Sequence, residues 1–105
     1  MGNQNDDKQY IILVEFTFAE KNIEKALEFL DEMEGLTLEN EDDCLIYDVT
    51  YSEEEPTRVF IYEVYENEAA FKVHENSVYF KELVVEGILP LAETTKITKL
   101  VELNQ

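Results

Sequence analysis

The chain of 105 residues has no tryptophan, one cysteine, one histidine, three glycines and two prolines. A single thiol, Cys44, can close no internal disulfide and forms no C-x-x-C pair. Cys44 and His74 are far apart in the chain and stand in no H-x-x-E-H pattern, so no zinc or iron–sulfur site is expected. Gly2, Gly35 and Gly87 are too scattered to build a loop that cradles phosphate, which argues against nucleotide and dinucleotide binding. The D-x-D-x-D-G order of a calcium loop is missing as well. Basic residues are also scarce. Eight Lys and Arg stand against 25 Asp and Glu, a net charge of −17 spread along the chain. A field of that sign repels phosphate backbones and anionic lipid, so nucleic acid and membrane surfaces are not expected partners. The longest apolar run near the start, Tyr10 to Val14, is too short to span a bilayer and is broken by Glu15. No basic segment followed by a secretory-type apolar run opens the chain, and a cytoplasmic protein is expected.

What is present is the material of one folded domain. Hydrophobic residues make up 45% of the chain and aromatic residues 11%, enough for a core at this length. The whole chain, residues 1–105, reads as a single domain, with residues 1–9 as a flexible polar end. Residues 10–18 are β-branched and aromatic with period-two alternation and read as a strand. Asn22 can cap a following helix, whose Ile23, Ala26, Leu27, Leu30 and Met33 lie at helical spacing. Gly35 could end that helix, or it could run on to the acidic break at Glu41, Asp42 and Asp43. Residues 44–51 and 58–65 read as a hairpin around a charged turn holding Pro56. Asn67 and Ser77 are caps for two short helical stretches, the second stopped by Gly87 and Pro90. Residues 94–103 alternate as a last strand.

The order β-α-β-β-α-β specifies an α+β, ferredoxin-like domain, an antiparallel sheet with both helices on one face. The other face then has no cover. Tyr47, Val49, Phe60, Tyr62 and Val64 cannot all lie under two helices, so a homodimer packed sheet against sheet is expected.

His74 is the residue with the most chemical scope. Phe71, His74 and Val78 share the helix stripe that should face the sheet, and an imidazole there needs a partner. It is either a structural hydrogen-bonding group or a general base at the edge of an apolar pocket. Tyr79 is either a core-edge aromatic with a wet hydroxyl or part of that pocket. Glu63, among apolar residues on its strand, either points to solvent or orients a pocket group. Cys44 has Asp42 and Asp43 beside it and no base, so it reads as a packing residue.

The ordered set of Asp43-Cys44-Leu45-Ile46-Tyr47, then Glu63-Val64-Tyr65 followed by Ala70, then His74-Glu75-Asn76-Ser77-Val78-Tyr79-Phe80, resembles the antibiotic-biosynthesis monooxygenase family over about residues 10–101. The resemblance implies a dimeric α+β barrel and oxidation of a hydroquinone- or anthrone-like aromatic by O₂ with no cofactor and no metal. It implies His74 as base or hydrogen-bond partner, Glu63 as an orienting acid and Tyr65 as a pocket wall; Tyr47, Phe71, Tyr79 and Phe80 are expected to complete the pocket. Two positions depart from the family pattern: Tyr79 stands where a second histidine is usual, and Asp43 where glycine is usual. Haem-degrading relatives use tryptophan, which this chain lacks. The alternatives are a ligand-binding or stress-associated dimer without catalysis, an isomerase of a small dicarbonyl or sugar signal, and an acidic module for a basic protein partner.

Overall fold

The computed structural model describes residues 8–104. Residues 1–7 of the polar opening lie outside them. Strand β1 (Tyr10–Phe18) leads through one 3₁₀ turn (Glu20–Asn22) into helix α1 (Ile23–Asn40). Strands β2 (Cys44–Tyr51) and β3 (Arg58–Tyr65) follow, then helix α2 (Glu68–Glu75). A wide π-helical segment (Phe80–Ile88) continues into a last turn (Leu89–Leu91), together called α3, and β4 (Ala92–Leu100) ends the fold. The four strands form one sheet in the order β2-β3-β1-β4, every pair antiparallel. This is the ferredoxin-like arrangement.

Period-two alternation decides which side chains meet the helices. The register sets Ile12 opposite Glu63, Val14 opposite Ile61 and Phe16 opposite Val59, and Tyr47 opposite Glu63 on the next strand. All of these are buried, and all but Glu63 join Ala26, Leu30, Met33 and Ile88 in the apolar core. The other face carries Leu13 opposite Tyr62 and Glu15 opposite Phe60, with no helix over it. Of the five residues expected to crowd the sheet, Tyr47 and Val49 therefore take the helix face, and Phe60, Tyr62 and Val64 the opposite one, on which Val64 is nonetheless buried beside Ile11.

Helix α1 runs through Gly35 because its buried stripe does: Ala26, Leu30, Met33 and Thr37 repeat at helical spacing across the glycine, which itself faces open space. It stops at Glu41, whose backbone turns extended while its N–H closes on Thr37 O at 2.9 Å. The expected caps divide. Asn67 Oδ1 accepts from Ala70 N at 2.9 Å, whereas Asn22 makes no side-chain cap. Ser77 Oγ accepts from Phe80 N at 3.1 Å and donates to His74 O at 2.7 Å, binding the end of α2 to the start of α3.

Gly87, read from the sequence as a stop signal, lies inside α3. Its role is packing: a Cβ there would sit 3.2 Å from the ring of Phe29, so the missing side chain lets α3 lie close against α1. Pro90 lies in the last turn, and the chain leaves the helix at Ala92.

Candidate active site

Helix α2 places His74 on the sheet side, where its ring is surrounded by aromatic neighbours. Tyr65 lies at 5.2 Å between ring centres, Phe80 at 5.3 Å, Tyr47 at 5.7 Å and Phe71 at 6.2 Å. His74 is 1% exposed, so bulk water does not serve its polar atoms. Nδ1 lies 3.2 and 3.1 Å from the two carboxyl oxygens of Glu41, and the Tyr79 hydroxyl donates to Glu41 Oε2 as well. Nε2 points the other way, 3.9 Å from Glu63 Oε1. That separation is too long for a hydrogen bond. Glu63 Oε1 instead accepts from the Tyr65 hydroxyl at 2.6 Å.

The resulting chain, Tyr79, Glu41, His74, Glu63, Tyr65, is an ionisable array inside an apolar core, and burial governs its protonation. Burial pushes the Glu63 carboxyl up to about 7, against the lowering effect of the Tyr65 hydroxyl and with a smaller upward push from Glu41. Burial also lowers His74 below its ordinary value, and the Glu41 contact only partly opposes it. The site therefore favours a neutral imidazole beside a carboxyl that titrates near neutrality. Tyr47 and Tyr65 are driven far above the usual phenol range, chiefly by burial, so both hydroxyls keep their protons. The Cys44 thiol is pushed up to about 12 by burial and by Glu41 and Glu63, which leaves it an unreactive packing group.

A cavity of about 130 Å³ opens beside this array, between the sheet and α2–α3. Ile12, Val14, Ile61 and Val84 form apolar walls, and His74, Glu63, Glu75 and Thr95 are the polar residues of the lining besides Tyr47. Its rim includes Ile97 on β4, whose side chain is 63% exposed because the helices do not reach that far across the sheet.

Of the residues singled out from the sequence, His74, Glu63, Tyr47, Phe71 and Phe80 line this cavity. Tyr65 and Tyr79 do not. Tyr65 sits behind Glu63 with its hydroxyl committed to the carboxyl, and Tyr79 stands at the far side of Glu41. Tyr65 is thus a support for Glu63 where a pocket wall was expected. Glu41 was missed. It belongs to Glu41-Asp42-Asp43, read from the sequence as a polar break, and no local signal separates it from its exposed neighbours. Among the described residues, no cluster of three or more His, Cys, Asp and Glu side chains is arranged to hold a metal ion. No helix among them is long and apolar enough to cross a membrane.

The sequence profile of the antibiotic biosynthesis monooxygenases matches residues 9–86, most of the chain and every residue of the array. The chain belongs to this family. Solved structures agree in fold. A Bacteroides thetaiotaomicron protein, provisionally described as an antibiotic biosynthesis monooxygenase, is 23% identical with a TM-score of 0.87 over 93% of this chain and 92% of its own. One from Caulobacter crescentus, described in the same provisional way, is 20% identical with a TM-score of 0.86 over 95% and 94%. A conserved Methanosarcina mazei protein is 17% identical with a TM-score of 0.83 over 93% and 96%. No protein with a curated description matches the chain. Tyr79 supplies a hydroxyl to Glu41, and His74 is the array's one imidazole.

Proposed function

We propose that this family member is a cofactor-free oxygenase of a single-ring hydroquinone, working as a sheet-to-sheet homodimer in the cytoplasm. The observation that carries the reading is His74: a buried imidazole kept neutral, tied at Nδ1 to Glu41, with its second nitrogen on the side of an apolar cavity. Such a nitrogen can take a phenolic proton near neutral pH. The phenolate gives an electron to O₂ readily, and the radical pair then joins as a ring C–O bond. Loss of the ring hydrogen and cleavage of the O–O bond leave a hydroxylated quinone, and His74 returns its proton to the departing hydroxide as water. One oxygen atom enters the product, the other leaves as water, and the quinol supplies all the electrons.

The cavity size selects the substrate. A hydrocarbon-lined space of about 150 Å³ is enough for benzene. A cavity of about 130 Å³ is of the same order, which favours a one-ring quinol over a three-ring anthrone. The polar end supplies His74 and Glu63 to a hydroxyl, and the apolar walls exclude water from the anion. Pairing of a second copy over Leu13, Phe60 and Tyr62 would cover the apolar residues that the helices leave open.

The test is oxygen uptake by metal-free protein with single-ring hydroquinones and anthrones, against autoxidation controls. Uptake is expected to be fastest with the single-ring quinols, falling by about 10²-fold or more in His74→Ala. Uptake no faster than autoxidation would overturn the oxygenase reading. A ligand-binding role without turnover has one observation in its favour, that both carboxyls are already engaged by tyrosine hydroxyls. Thermal shift without oxygen uptake would identify it.

A further inference from the structure

We propose that Glu41 is the positioning residue of the site: it holds the proton of His74 on Nδ1 and so turns the lone pair of Nε2 toward the cavity, with Tyr79 holding Glu41 in place. The use made of that lone pair rests on the oxygenase reading; the tautomer itself does not.

A neutral imidazole carries one donor and one acceptor nitrogen, and the fixed hydrogen bond at one decides the other. Glu41 meets Nδ1 with both oxygens, and the side chains of His74 and Glu41 are only 2% and 6% exposed. Tyr79 already donates to Oε2, and in the proposed arrangement Nδ1 is the second donor to the same carboxyl. The other ionisable groups around the ring, Glu63 and Tyr65 on β3, Tyr47 and Cys44 on β2 and Glu75 on α2, make no hydrogen bond to Nδ1.

Each end of this clamp has a rigid mount. The Glu41 backbone is fixed on both sides, its N–H donating to Thr37 O at 2.9 Å and its carbonyl accepting from Cys44 N at 3.1 Å. Ser77 fixes the other end, since its hydroxyl bridges His74 O and Phe80 N on either side of Tyr79. The same carboxyl lies where positive charge would develop once Nε2 takes a proton, and stabilises the imidazolium there. Orientation and charge stabilisation thus come from a residue that does not line the cavity.

His74 is the only histidine of the chain, so nitrogen NMR of the ¹⁵N-labelled protein reads it without assignment. In wild type at neutral pH, Nδ1 is expected at a protonated shift and Nε2 at an unprotonated one. Glu41→Gln keeps the shape, removes the titratable carboxyl and can present an N–H in place of an acceptor. It is expected to move the population toward the Nε2–H form and to lower the proton affinity of His74 about tenfold. With a quinol that the wild type oxidises, kcat should fall about 10²-fold with KM little changed. A wild-type spectrum with the proton on Nε2 would overturn the proposal without any variant, and so would a Glu41→Gln spectrum and titration identical to wild type. A protein that oxidises no quinol but shows the Nδ1–H tautomer removes the oxygenase reading and leaves Glu41 in its place.

Discussion

Tyr65 donates its hydroxyl to Glu63 Oε1 across 2.6 Å, from two residues further along the same face of β3. Residues at i and i+2 of a strand share a face, so the pair is prearranged by the strand itself. The contact supplies a buried carboxyl with one strong donor, which is what a core demands of such a group. It does not restore the carboxyl to its ordinary acidity, because burial outweighs it.

Glu63→Gln should therefore change stability in a pH-dependent way. The folded protein holds the Glu63 proton up to about pH 7, whereas the unfolded chain releases it near 4.5. Between those values the native state binds more protons, so wild-type stability is lost as pH rises through the window. At about 1.4 kcal/mol per unit the full effect is about 3 kcal/mol. Glutamine does not titrate, so its melting temperature relative to wild type should rise from pH 5 to pH 8. A difference that stays constant across that range would refute the raised carboxyl.

Tyr65→Phe takes away the donor and leaves Glu63 buried without it. A loss of about 1–3 kcal/mol is expected, larger at pH 8 than at pH 5, because the ionised carboxylate loses more than the neutral acid. Urea melts at the two pH values measure it.

The two helical glycines should respond oppositely to alanine. Gly35 sits inside α1 with nothing near its would-be Cβ, so Gly35→Ala should stabilise by about 1 kcal/mol through helix propensity. Gly87→Ala presses a methyl onto the Phe29 ring at 3.2 Å, and overpacking should cancel or reverse the same gain. Thermal melts of the two variants side by side decide the sign.

A net charge of −17 on a chain of this size repels itself. Melting temperature should rise between low salt and about 0.5 M sodium chloride, where the Debye length is well below 10 Å. An unchanged melting temperature would show that the acids are too dispersed to strain the fold.

The proposed dimer rests on the uncovered sheet face, where Tyr62 is 39% and Ile46 37% exposed. Light scattering should give twice the chain mass, and Tyr62→Lys should shift the equilibrium to monomer. A wild-type monomer at high concentration would remove the dimer.

The sequence by itself determined the elements and their order, because periodicity is a local property: the alternation of residues 10–18, the helical stripe from Ile23 to Met33 and the Asn67 cap can each be read from a short window. It also singled out His74, through its place on an apolar helix stripe, and Glu63, through its place within an apolar strand. Tertiary structure decided what those residues do to each other. Glu41 is 33 residues from His74 and lies in an acidic run whose other members face water, so its inward turn depends on where α1 stops against the end of α2. The protonation of the array was equally out of reach, since a pKa shift comes from desolvation and from charges brought together by folding, not from the residue type. Gly87 shows the same division: as a letter it suggested a helix stop, and only the ring of Phe29 at 3.2 Å made it a packing residue.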